Sequence, residues 1–316
     1  MIEVKNLTKR YGNNCAVSDL SFTIEKGQIY GFLGPNGAGK STTMNIMTGC
    51  LAATSGQVKI GGYDIFEEAN EAKKLIGYLP EQPPLYMDRT PREYLTFVAQ
   101  AKKVPAKEIA AEVARVLKVT QTTDVADRLI KHLSKGYKQR VGIAQALLGN
   151  PEVVILDEPT VGLDPRQIIE IRELILELGK EHTVILSSHI LSEVQAVCQT
   201  VMIIAKGKLV ACDTPENLEK IFAGKTTMEL TAEGSVAKLR EVLSTVAGAE
   251  ITQVVSEGET STLVLELQDG EKNIRRDIFF AFAKAELPIL EMKAETASLE
   301  DIFLELTAGA GKEDKK

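Results

Sequence analysis

The chain has 316 residues, 44% of them hydrophobic and 26% charged, the make-up of a well-cored protein with one large domain or two smaller ones. Its net charge of −7 repels nucleic acid, and no apolar run approaches the roughly eighteen residues needed to cross a bilayer. Cys15, Cys50, Cys198 and Cys212 lack CxxC spacing, so neither a zinc site nor a disulfide framework is indicated. The N-terminus, MIEVKNLTKRYG, reads as a strand and a turn rather than a targeting signal. The expectation is a cytoplasmic chain that needs a partner for any work at a membrane.

Short apolar strands alternate with helical patterns up to about residue 212, which predicts an α/β fold with a largely parallel sheet. Ile2–Leu7 and Leu20–Glu25 alternate polar and apolar, like strands with one wet face. Ile29–Leu33 is continuously apolar, like a strand buried on both faces. GPNGAGKS, Gly34–Ser41, follows at once and matches G-x-x-x-x-G-K-[ST], with a helix predicted over Ser41–Thr48. Strand, glycine loop and helix together are the context this motif requires. Converging backbone N–H groups at a helix N-terminus bind phosphate oxygens, Lys40 reaches the terminal phosphates and the Ser41 hydroxyl ligates Mg²⁺.

Gln57–Ile60 is a further strand, and Glu93–Leu148 is helical throughout, an insertion in the α/β core. VVILDE, Val153–Glu158, is a buried strand ending in two carboxylates, where such sheets bind ligands. Asp157 is placed for Mg²⁺, directly or through water, and Glu158 to orient or deprotonate the water that attacks a γ-phosphate. Gly162-Leu163-Asp164-Pro165 starts a helix, with Asp164 as N-cap and Pro165 as its first residue. Thr183–Leu186 is a strand leading to His189, which either bonds the γ-phosphate or simply opens the next helix. Val201–Ala205 is the last buried strand.

Composition changes after Leu218. Strands are predicted at Thr226–Leu230, Ile251–Val255, Ser261–Leu267 and Pro288–Ala294, and helices at Val236–Val246, Ile274–Ala285 and Leu299–Leu306. Residues 1–218 are thus read as an α/β phosphate-binding domain with its helical insertion at about 83–150. Residues 219–308 form an accessory α+β domain suited to a ferredoxin-like layer, and 309–316 a disordered tail.

These motifs, in this order, resemble the nucleotide-binding subunit of an ATP-binding cassette (ABC) transporter. Leu133–Tyr137, LSKGY, falls where that family carries its signature LSGGQ. The resemblance implies a P-loop cassette with a mixed sheet, a small antiparallel β subdomain and the helical insertion. It implies ATP and Mg²⁺ as ligands, with Gly34, Pro35, Asn36, Gly37, Ala38, Gly39, Lys40, Ser41 and Thr42 holding the nucleotide. Tyr11 falls where the family stacks an aromatic on adenine. Glu158 and His189 are the implied catalytic residues, and Ser41 and Asp157 the metal ligands. Ser134 and Gly136 face the ATP of a second copy or a paralogue, and Asp164 lies in the dimer-interface turn.

Lys135 and Tyr137 stand where the family usually has glycine and glutamine. In GYLPEQ, Glu81 occupies the Q-loop position, with Gln82 one residue later as the alternative metal ligand. Pro83–Tyr94 corresponds to the region that meets an integral-membrane permease, which would hold the chain at the inner face of the membrane. GYLPE and SLEDIFLELT, residues 298–307, resemble the drug-, antibiotic- or polysaccharide-export type. A soluble ABC ATPase in translation or DNA maintenance is the alternative. The single phosphate loop, the lack of coiled-coil or zinc insertions and the acidic charge weigh against it. A slow nucleotide-gated regulator is the third reading, and the departures at Tyr137 and Glu81 leave it open.

Overall fold

The computed structural model describes residues 1–222, 226–257, 260–267 and 274–296, which divide into two compact units, Met1–Pro215 and the residues from Glu216 on. The helix expected over Leu299–Leu306 and the tail at 309–316 lie outside the described residues.

In the first unit, β1 (Ile2–Tyr11) and β2 (Asn14–Ile24) pair as an antiparallel hairpin, and Ile2, Val4 and Leu7 point into the core. β3 (Ile29–Leu33) is buried at every position. It runs into α1 (Lys40–Met47), which buries Met44, Ile46 and Met47. β4 (Ser55–Ile60) and β5 (Tyr63–Asp64) complete a four-stranded antiparallel sheet in the order β2-β1-β4-β5.

Next come α2 (Ala69–Lys74) and β6 (Ile76–Leu79), then the helical block α3 (Pro91–Ala101), α4 (Ile109–Val119) and α5 (Lys135–Leu147). α3 opens with a capping box between Thr90 and Glu93, with Pro91 in the first turn. β7 (Val153–Leu156), α6 (Pro165–Leu178), β8 (Thr183–Ser188), α7 (Leu191–Val197), β9 (Thr200–Ala205) and β10 (Lys208–Asp213) follow.

The second sheet has the order β10-β9-β3-β8-β7-β6 and is mixed: β10 runs antiparallel to β9, and the other neighbours are parallel. Its apolar runs are those of strands covered on both faces. Phe22 of the antiparallel sheet meets Phe32 of β3 edge to face, with centroids 5.4 Å apart. The parallel register aligns Leu33 with Ser188 and Leu156 with Leu186. The segments that follow β3, β7 and β8 therefore leave the sheet at one edge, which is what assembles the site.

β6 was not predicted. It has only four residues, and Gly77 stands where a Cβ would collide with the Ala146 carbonyl of α5. Close backbone approach, rather than an alternating side-chain face, makes this strand, so periodicity is silent on it.

Cys198 is buried, and burial raises its thiol pKa, whereas Cys50 and Cys212 are exposed. Burial together with the neighbouring Asp213 also raises Cys212. A thiol reagent at neutral pH is expected to modify Cys50 first and Cys198 only after denaturation, as peptide mass mapping would read.

α8 (Pro215–Phe222) begins at the boundary between the units. The second unit then runs β11 (Thr226–Glu233), α9 (Val236–Leu243), β12 (Ala249–Glu257), β13 (Thr260–Leu267), α10 (Ile274–Lys284) and β14 (Ile289–Thr296). Its sheet is antiparallel in the order β12-β13-β11-β14, a split β-α-β topology. Ser261, Leu263, Leu265 and Leu267 alternate inward along β13. Leu239 and Leu243 of α9, and Ile274, Ile278 and Phe282 of α10, fall at helical spacing in one core cluster with Leu263, Leu265 and Leu267.

Candidate nucleotide site

The loop between β3 and α1 is shaped by its glycines. Gly39 has φ 108°, and a Cβ there would stand 2.6 Å from the Ala16 carbonyl of β2. The Ala38 amide donates to Pro35 O at 3.1 Å, and the Gly207 amide donates to Ala38 O at 2.9 Å. Neighbouring strands thus pin the base of the loop. Its tip, Pro35, Asn36 and Gly37, is exposed, while Gly34, Ala38, Gly39 and Lys40 are buried. The loop meets α1 at the helix's positive end, where free backbone N–H groups favour an anion.

Lys40 is 6% exposed. Its ammonium donates to Gly34 O at 2.7 Å and Pro35 O at 3.3 Å, and lies 3.4 Å from Glu158 Oε1. Ser41 and Thr42 are half-buried in the first turn. The Ser41 hydroxyl donates to Asp157 Oδ1 at 3.1 Å, and Ser187 Oγ donates to the same oxygen at 2.6 Å. Ser187 Oγ in turn accepts from the Glu158 amide at 2.8 Å.

Glu158 is buried and holds a left-handed backbone at φ 48°, a conformation that costs a non-glycine residue about 1–2 kcal/mol. Ser187 at its amide, Lys40 at one carboxylate oxygen and His189 Nδ1 at the other, 2.9 Å away, hold it there. His189 itself is 39% exposed at the side chain, beside the buried acid.

A serine hydroxyl and a carboxylate converging within 3.1 Å are hard oxygen donors of the kind Mg²⁺ takes. Among the described residues no group of three or more His, Cys, Asp or Glu could hold a metal. Ser41 and Asp157 thus fit an ion that completes its shell with water and phosphate oxygens. The Asp157 amide donates to Leu79 O at 2.9 Å, which brings the end of β6 alongside. Glu81 and Gln82, just beyond, are both exposed. Burial raises the Tyr78 hydroxyl pKa, and the charges of Asp157, Cys50 and Glu81 add to it, so Glu81 and Asp157 act on one neighbourhood.

Tyr11 ends β1, half exposed, with the Lys9 ammonium 5.1 Å from its ring centroid. It pairs with Asn14 at the mouth of the hairpin whose Ala16 packs on Gly39.

Ser134 and Gly136 are brought to a different place. Ser134 is the N-cap of α5 and accepts from the Tyr137 amide at 3.4 Å, and Gly136 is buried against Gln167 of α6. The Tyr137 hydroxyl donates to Asp124 Oδ2 at 2.8 Å, a bond that leads the rise in its pKa. Asp164 caps α6, accepting from the Gln167 amide at 2.9 Å. Ser134, Gly136, Tyr137, Asp164 and Gln167 line a single cavity of about 520 Å³, and no phosphate-loop residue is among its lining. The start of α5 and the phosphate loop thus do not share that cavity.

Sequence reasoning missed Thr160, Ser187, Ser188 and Glu193. Ser187 joins Asp157 to Glu158, as above, while Glu193 accepts from Thr160 Oγ1 at 2.6 Å and Ser188 Oγ at 2.8 Å. The only signal was a pair of serines between an apolar strand and a histidine.

Comparison with known proteins gives this arrangement a context. Residues 17–161 match the ABC transporter domain family. The chain is 37% identical, over 99% of its length and 98% of the relative's, to YhcH of Bacillus subtilis, an uncharacterized ABC transporter ATP-binding protein. It is 36% identical, over 98% of both chains, to BcrA of Bacillus licheniformis, a bacitracin transport ATP-binding protein. Among solved structures, a dimeric ATP-binding cassette in a post-hydrolysis state with ADP and Pi matches with TM-score 0.61 and 26% identity, covering 68% of this chain and 98% of that one.

Proposed function

We propose a working cycle for this chain from one premise: it belongs to the ABC transporter family as an ATP-binding subunit, an ATPase coupled to transport. Two copies, or one copy and a paralogue, pair head to tail. ATP on Gly34–Thr42 of one is covered by Ser134 and Gly136 of the other. The observation that carries this is the separation of the two half-sites: the capped start of α5 shares its cavity with Asp164 and not with the phosphate loop. A helix N-terminus without an acidic residue in its first turn is set to receive phosphate charge from outside its own chain.

Within the closed site, Lys40 exchanges its carbonyl partners for phosphate oxygens. Glu158 orients or deprotonates the attacking water, and His189 bonds the γ-phosphate with the ring edge that Glu158 leaves free. Ser41 and Asp157 would hold Mg²⁺, with Glu81 or Gln82 completing the set. The ion would neutralise developing phosphate charge. Tyr11 stacks on the base.

The permease docks on the segment Pro83–Tyr94, to which the fold adds Phe97 of α3. Tyr86, Met87 and Phe97 are 48%, 47% and 49% exposed, and the Tyr86 ring lies 5.5 Å from those of both Phe97 and Tyr94. Exposed aromatics clustered in this way are anchors for a partner. The Tyr94 hydroxyl bonds Pro84 O at 3.2 Å and the Gln145 side chain of α5, so the patch is tied directly to the signature helix. Motion there is passed to the start of α5. The substrate class is an antibiotic or antimicrobial peptide moved outward, in line with the bacitracin transport relative. The unit from Glu216 on is an accessory domain. The relatives are transporter subunits, which disfavours the soluble reading.

The test is tagged purification from gently solubilised native cells. A stoichiometric polytopic membrane protein is expected, and ribosomes or nucleic-acid proteins in its place would overturn the reading. Tyr86→Ala with Phe97→Ala is expected to release that partner while ATP affinity stays within about twofold, since neither ring touches the phosphate loop.

A further inference from the structure

Glu193 lies in the first turn of α7 and is only 6% exposed. A carboxylate is buried at a cost of several kcal/mol unless hydrogen bonds replace its water. Here Oε2 accepts from Thr160 Oγ1 at 2.6 Å and from Ser188 Oγ at 2.8 Å. Ser188 Oγ also accepts from the Ile190 amide at 3.0 Å, which fixes the turn after His189. Thr160 belongs to the turn that leads from Glu158 to Asp164: Val161 N donates to Glu158 O and Leu163 N to Thr160 O, each at 3.2 Å. The successive residues Ser187, Ser188 and His189 thus hold different parts of that turn. Ser187 bonds Asp157 and Glu158, His189 bonds the Glu158 carboxylate, and Ser188 reaches Thr160 only through Glu193.

We propose that Glu193 is a positioning residue for ATP hydrolysis, a buried latch that couples the His189 segment to the Glu158–Asp164 turn. This rests on the cycle proposed above. Glu193 bonds neither Lys40 nor Glu158; it keeps the path between the acid and the interface turn in register with the strand that carries His189. Through it, closure felt at Asp164 reaches the catalytic pair.

Glu193→Ala is expected to lower kcat about tenfold or more with KM for ATP within about twofold, because misplacement of a catalytic group is felt in the transition state and the phosphate loop is untouched. Glu193→Gln keeps a carbonyl oxygen that accepts from both hydroxyls, and is expected to restore kcat to within about threefold. A role resting on negative charge at the reacting atoms would leave Gln as poor as Ala, and that result overturns the proposal. So does a Glu193→Ala kcat within twofold of the wild type. Should Glu193→Ala not fold, Thr160→Val removes one arm of the latch and is expected to lower kcat in the same sense, again without raising KM. Amide exchange over residues 159–164 reads the latch independently of turnover: faster in Glu193→Ala and Thr160→Val, unchanged in Glu193→Gln. Loss of ATP-dependent pairing in the wild type would contradict the cycle, whereas exchange unaltered in both variants would contradict the latch alone.

Discussion

Glu158→Gln is expected to lower ATP turnover by about 10²–10⁴-fold while ATP still binds. Particle mass in saturating ATP and Mg²⁺ should rise to about twice the 34.4 kDa of one chain. The carboxylate is buried at the end of β7, its backbone held in the left-handed region and its oxygens shared between Lys40 and His189. The role proposed for this side chain, held beside the phosphate loop, is on the attacking water. The amide is isosteric and still offers an oxygen to Lys40, so the geometry survives while the base is lost. Removing the negative charge also removes a repulsion toward the γ-phosphate, which favours the closed, ATP-bound pair. Steady-state phosphate release and light scattering measure the two effects separately. Turnover that stays near that of the wild type would put the catalytic base elsewhere.

Lys40→Ala is the second large effect, expected to weaken ATP binding by about a hundredfold, in keeping with hydrogen bonds to charged groups worth about 1.5–3 kcal/mol. The same change has an outcome in the empty subunit. The Glu158 carboxylate loses the ammonium at 3.4 Å and keeps the His189 ring, so a buried carboxylate is left short of a partner. A stability loss of about 1–3 kcal/mol is expected. Adding Glu158→Gln to Lys40→Ala should return part of it, because a neutral amide needs no counter-charge. Equilibrium titration with a fluorescent ATP analogue and thermal denaturation of the four proteins in the cycle measure both. Strict additivity in the denaturation cycle would mean that the pair is not coupled.

The parts of the site legible in the sequence were those carried by local chemistry. Gly34–Ser41 announced itself because a phosphate cradle needs glycines and a lysine at fixed offsets, and Asp157-Glu158 because a run of buried residues had to end at a sheet edge. Asp164-Pro165 was legible as a helix start for the same local reason. What stayed hidden depends on register. The hydroxyls of Ser187 and Ser188 meet their partners because β7 and β8 lie parallel with Leu156 beside Leu186, a pairing no local pattern encodes. Glu193 carries no local signal; only the fold buries it against Thr160. Tyr137 finds Asp124 across a stretch of short 3₁₀ turns, again a tertiary accident from the sequence's point of view. β6 was invisible because Gly77 serves the approach of α5 and not a side-chain face. The role proposed for Ser134 and Gly136 belongs to no single chain at all.

That role is the centre of the account, and crosslinking between copies tests it most directly. Asn36 is exposed at the tip of the phosphate loop and Ser134 is exposed at the start of α5. With the exposed Cys50 and Cys212 replaced by serine, Asn36→Cys and Ser134→Cys chains are prepared separately, mixed and oxidised. A disulfide-linked pair of chains is predicted from the mixture in ATP and Mg²⁺, with little or none from either variant alone or without nucleotide. A mixture that binds ATP yet forms no such link, or links equally well in its absence, would contradict the head-to-tail site.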